Sequence, residues 1–208
     1  MALGWVYKTA VEIVVLPQVG ALLHRLRAYG HDLLRTPADP RTHTDDPYFW
    51  GAYVMAPWCN RIAPGPVEVE GRTIDLPPTF PDGSAIHGQV SSRAWSVYPD
   101  GTLRVEDGGD GWPWTYEVVA RLHVSHDTVS LEYELINRSD GLMPAGIGLH
   151  PWFRRPVQLR IGASSAYPSN SGSTTIPVPV REDLDLRSLR TPPADLDGRE
   201  HLGQERGD

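Results

Sequence analysis

An all-β fold, built as an antiparallel β-sandwich, follows from three properties of the 208-residue sequence. Two segments alternate apolar and polar residues with the period of two that marks half-buried strands. In the first, Val118, Ala120, Leu122 and Val124 alternate with Glu117, Arg121 and His123. In the second, Val129, Leu131, Tyr133 and Leu135 alternate with Ser130, Glu132 and Glu134. The short polar link Ser125-His126-Asp127 makes the pair a hairpin. The 20 glycines and 20 prolines, set among many Val, Leu, Trp and Tyr, give short strands and frequent turns, and no segment sustains a long 3.6-residue period.

Along the chain, Thr9 to Leu16 is rich in β-formers and Pro17-Gln18-Val19-Gly20 turns it. Ala21 to Ala28 admits a short helix, but Tyr29-Gly30-His31-Asp32 looks like a hairpin turn before Leu33-Leu34, which favours strands. Thr36 to Pro47 is rich in Pro, Asp and Thr and is expected to be an exposed loop. Asn137 to Gly141 is the turn after the main hairpin. From Pro177 the composition becomes Pro-, Asp- and Arg-rich. The polar stretch from about 198 onward has too little apolar surface to order itself. The length suits a single domain spanning 1–208.

The formal net charge of −7 gives no basic face for phosphates and argues against a nucleic-acid partner. No run of 18 or more apolar residues predicts a membrane span. Met1 to Lys8 lacks the pattern of a signal peptide. The single Cys59 cannot form an internal disulfide and fits a reducing compartment, so the chain reads as soluble and cytoplasmic. Cys59 is a poor nucleophile candidate, since no neighbour in sequence supplies a base.

Three polar clusters interrupt the β pattern. In Gly146 to Phe153, His150 precedes a proline that pushes it into extended geometry, between apolar residues and the rings of Trp152 and Phe153. Imidazole exchanges protons near neutral pH, so His150 is a candidate general acid; a packed, hydrogen-bonded core histidine is the competing reading. Asn60 and Arg61 offer a carboxamide and a five-donor guanidinium suited to hydroxyl-rich ligands, against a turn cap and a structural ion pair. His87 precedes Gly88, whose missing Cβ permits close approach, against a surface-turn histidine. The eight histidines show no metal-ligand spacing and have no cysteine partners. His123 and His126, three apart, are expected to be exposed, and neither a metal nor a cofactor is implied.

Tyr48-Phe49-Trp50-Gly51, Asn60-Arg61-Ile62 with Gly65, Ile86-His87-Gly88 and Gly148-Leu149-His150-Pro151-Trp152-Phe153 stand in the order seen in the aldose 1-epimerases (galactose mutarotases). Leu16-Pro17 to Leu22 and Gly30 to Leu34 also look like that family's first strands, so the chain resembles it from roughly residue 10 to 197. The resemblance implies a large antiparallel supersandwich with a monosaccharide cleft, and interconversion of the α and β anomers of free hexoses. His150 matches the proton donor and His87 the second active-site histidine, while Asn60 and Arg61 match the pair that holds sugar hydroxyls. Trp152 is expected to line the cleft, and Asp197 sits where the family carries a sugar-binding aspartate.

One departure is informative. The family's general base is a glutamate on a strand well beyond that aspartate, whereas Glu200 and Glu205 lie in polar tail without strand patterning. The expectation is a chain that lacks the C-terminal strands, with impaired activity. Two alternatives stay open: a non-catalytic carbohydrate-binding sandwich, and a hexose-phosphate mutarotase, which the acidic balance favours little.

Overall fold

The computed structural model describes residues 6–8, 10–45, 48–155, 164–166 and 178–179. The first sheet begins with β1 (Val6–Lys8), β2 (Val11–Leu16), β3 (Leu22–Ala28) and the short β4 (His31–Asp32), all antiparallel neighbours. In β2 the pleat turns Val11, Ile13 and Val15 inward, leaving Glu12 and Val14 at the half-buried face. Segment 21–28 is thus a strand rather than a helix, and Tyr29-Gly30 is its turn. β5 (Ala52–Met55) pairs with β3 through Leu23 and Ala52.

Two small two-stranded sheets follow: β6 (Arg61–Ile62) pairs with β9 (Ala85–Ile86), and between them β7 (Val67–Val69) and β8 (Arg72–Ile74) form a hairpin. The second main sheet runs in the order β10 (Ser96–Val97), β11 (Leu103–Gly109), β12 (Trp112–Val124), β13 (Val129–Asn137). β14 (Gly148–Pro151) then returns to pair with β5 in the first sheet. A separate pair joins Ser165–Ala166 to Val178–Pro179. Val11, Ile13 and Val15 of one sheet and Leu103, Val105, Trp114 and Val118 of the other belong to one buried cluster, so the sheets face each other across a shared core.

The predicted hairpin is present with Tyr116 opposite Asn137 and Val124 opposite Val129, but its first strand starts earlier, at Trp112. β12 does not keep the expected alternation: Glu117 and Val119 are buried alongside Val118 and Ala120. It is an interior strand, and Arg138 and Arg104 cover the Glu117 carboxylate. At the end of β13, Ser139 donates its N–H to Asn137 Oδ1 at 2.9 Å, forming the predicted turn.

The expected exposed loop over 36–47 needs correction. It contains a one-turn helix, α1 (Thr42–Asp45), whose His43 is fully buried. His24 of β3 is the reason: its Nδ1 lies 2.8 Å from His43 Nε2 inside the protein, anchoring an otherwise polar segment.

Candidate active site

The register of β5 and β14 sets His150 directly opposite Tyr53. Alternation on the extended strand puts His150 and Trp152 on one face, while Leu149 and Phe153 pack against the core on the other. His150 is stacked on Tyr53 at 4.7 Å between ring centroids and on Trp152 at 5.4 Å. The aromatic walls are therefore Tyr53 and Trp152; Phe153, named with Trp152 from the sequence, turns inward and bridges to Leu34. Burial lowers the His150 pKa, so the resting imidazole favours the neutral form. His150 Nδ1 and Trp152 Nε1 are both buried without a hydrogen-bond partner among the described residues.

His87 follows β9 and meets His150 edge-on, with ring centroids 5.2 Å apart. Two backbone turns hold it. The His87 N–H donates to the Asn60 carbonyl at 2.9 Å, and the Asn60 N–H donates to His87 Nδ1 at 3.2 Å. Asn60 and His87 both sit at φ 60°, a left-handed conformation costing roughly 1–2 kcal/mol in most residues, which the reciprocal bonds offset. Gly88 continues the turn at φ 81°, where a Cβ would lie 2.0 Å from the Ala56 oxygen; only glycine fits.

The bond at Nδ1 fixes the tautomer: neutral His87 carries its proton on Nε2 and presents a donor. Burial, with smaller contributions from the charges of His150 and Arg61, pushes its pKa down to about 3. Among the described residues no carboxylate makes a hydrogen bond or ion pair with either histidine.

Arg61 faces Asp82, with Nε 3.1 Å from Oδ2, and its guanidinium lies over Phe80 at 4.7 Å. The ion pair weighed for Arg61 thus exists. Asn60 contributes backbone to the His87 interlock, so its carboxamide remains available to a ligand. Tyr48 closes the far wall, 6.4 Å from His87 and 5.9 Å from Tyr53. His150, His87, Trp152, Asn60 and Arg61 are thus linked through these contacts; Asp197 lies outside the described residues.

Sequence reasoning missed Tyr53, Phe80 and Asp82. Tyr53 sits in the apolar run Ala52–Met55, and only its pairing with His150 reveals it. Asp82-Gly83-Ser84 carries a visible turn signal, with Ser84 N–H and Oγ both bonded to Asp82 Oδ1. Cys59 is exposed, and partial desolvation pushes its thiol pKa up, away from a reactive thiolate. His123 and His126 are exposed, and among the described residues no three His, Cys, Asp or Glu side chains could jointly hold a metal.

Residues 9–195 match the aldose 1-epimerase family. The chain belongs to that family. The uncharacterized protein YphB of Escherichia coli K12 is 25% identical over 117 residues, covering 55% of this chain and 40% of that protein. Among solved structures, a galactose mutarotase-like protein from Clostridium acetobutylicum superposes with a TM-score of 0.67 at 19% identity, over 81% of this chain and 57% of that one. The GalM/aldose epimerase homologue from Caenorhabditis elegans gives 0.62 at 18% identity, over 74% of this chain and 50% of that one. At such identities the likeness is one of fold. This epimerase-family chain spans roughly half the length of these relatives. No helix of its described residues is long and apolar enough to cross a membrane.

Proposed function

We propose that the chain acts on free hexoses such as glucose and galactose, interconverting their α and β anomers by acid–base ring opening. The observation that carries this reading is the His87–His150 pair, 5.2 Å apart and walled by aromatic rings. Tyr53 and Trp152 offer ring faces to the C–H surface of a sugar, and Arg61 with the Asn60 carboxamide offers donors to its hydroxyls.

In this reading His150, once protonated, gives its proton to the ring oxygen while a base takes the anomeric hydroxyl proton. The C1–O5 bond breaks to the open-chain aldehyde, rotation about C1–C2 exchanges the faces, and reclosure returns both protons. His87, fixed as an Nε2–H donor, holds a sugar oxygen beside the reacting centre. The base is assigned to no described residue, and Asp197 is kept as a sugar-binding residue by family resemblance alone. Cytoplasmic location belongs to the same proposal.

A second reading is sugar binding without turnover. It draws on the absence of any carboxylate bonded to the two histidines among the described residues. Optical rotation of freshly dissolved α-glucose and α-galactose separates the two. Acceleration that disappears in His150→Ala establishes the epimerase, whereas calorimetric sugar binding with no acceleration leaves the binding protein.

A further inference from the structure

Next to the histidine pair lies a cleft of about 660 Å³ that the acid–base reading does not use. Tyr48 and Gly88 form its boundary with the active site, since Tyr48 also packs against His87. Its volume is in the range that holds small-molecule ligands. The frame is rigid. Gly88 and Gly111 place bare backbone in the wall, and both positions need glycine: at Gly111 a Cβ would lie 1.9 Å from the Asp75 backbone oxygen. Trp58 at the edge is fixed by stacking on Trp112 at 5.2 Å and by donating its indole N–H to the Ala85 carbonyl at 3.3 Å.

The polar groups of the cleft are pre-oriented and their charges define the ligand. Gln89 accepts from the Tyr116 hydroxyl at 3.2 Å and donates to the Gly109 carbonyl at 3.0 Å, which fixes its amide plane. Arg93 is held by Asp107 at 2.7 Å and Asp110 at 2.5 Å, two carboxylates on one cation. Asp75 adds an exposed carboxylate that makes no ion pair among the described residues. The balance is therefore negative, which repels phosphates and other anions. Carboxylate, amide and Ser91 hydroxyl acceptors beside the Tyr48 and Trp58 rings suit a ligand with many O–H donors and an apolar ring face.

We propose that this cleft binds a neutral saccharide that is not the reacting sugar: a second site, separate from the His87–His150 pair. It stands on the cleft's own chemistry and not on turnover at the histidines. The test is an amide-resolved NMR titration of the full chain with glucose, maltose and glucose 6-phosphate. Gly111 and the Gln89 side-chain amide report the cleft, and the Trp152 indole reports the histidine site. Saturable shifts at Gly111 and Gln89 with glucose or maltose, persisting in His150→Ala, are expected. Asp75→Ala is expected to weaken those shifts at least tenfold in Kd while leaving the Trp152 response unchanged, and Asp75→Asn to weaken them less. Tighter binding of maltose than glucose assigns the site to an oligosaccharide, and equal binding assigns it to a monosaccharide. Shifts confined to Trp152, glucose 6-phosphate binding the cleft as tightly as glucose, or no effect of Asp75→Ala in a folded protein would each overturn the proposal.

Discussion

Acidification acts on the buried His24–His43 pair before it reaches most of the fold. The two rings are 6% and 0% exposed and meet at 2.8 Å, a distance that requires one nitrogen to donate and the other to accept. One added proton makes the buried pair a cation, and a second removes the acceptor and sets two cations side by side. Burial first, and the neighbouring His24 charge second, lower the His43 pKa from 6.5 to about 4. The sign follows directly: below pH 6.5 the unfolded chain takes up a proton that folded His43 refuses, so the His43 contribution to stability falls as pH drops towards 4 and is fully lost below it. At about 1.4 kcal/mol per pKa unit the loss is on the order of 3 kcal/mol. Urea unfolding followed by tryptophan fluorescence between pH 7.5 and 3.5 measures it. His43→Gln keeps a bonding partner for His24 but cannot titrate, so its stability should depend on pH less steeply by that amount. Parallel curves for the two proteins, or an NMR titration placing His43 near 6.5, would refute the reasoning.

Gly88→Ala forces a Cβ to within 2.0 Å of the Ala56 oxygen at φ 81°, and should destabilise the fold by at least about 3 kcal/mol. Gly30→Ala, at φ 85° with nothing within 4 Å, should cost only about 1–2 kcal/mol; chemical denaturation compares the two. If His150 is the acid, kcat/KM for mutarotation should decline as pH rises through a value below 6.5, because burial lowers its pKa and only the imidazolium can donate. A pH series by polarimetry locates that limb. Asp82→Ala removes one anchor of the Arg61 guanidinium and should raise KM severalfold with kcat little changed; because it also strips two hydrogen bonds from the buried Ser84, chemical denaturation should show a stability loss of about 1–3 kcal/mol.

The main hairpin was legible because its outer strand, β13, leaves Ser130, Glu132 and Glu134 exposed and so shows the period of two. β12 was harder to bound: both its faces are covered, and a buried Glu117 mimics an exposed position in the pattern. His43 was invisible for a related reason. A four-residue helix carries no periodicity, and Pro/Asp/Thr composition signals exposure even where one ring is drawn inside by a partner nineteen residues away. At the site, His150, His87, Asn60 and Arg61 stood out because each departs from the surrounding β pattern. Tyr53 did not, since an aromatic residue in an apolar strand looks like core until the pairing with β14 is known. Phe80 and Asp82 become visible only once β6 and β9 bring their flanks together around Arg61.

Magnetisation-exchange NMR between the α and β H1 signals of galactose at equilibrium tests the central assignment most directly, because it reads anomer interconversion without a coupled enzyme. The account predicts exchange above the buffer rate with the wild-type chain, reduced by about 10²–10⁴ in His150→Ala and less in His87→Asn. Exchange equal to buffer with the folded wild-type chain, or unchanged in His150→Ala, would contradict it.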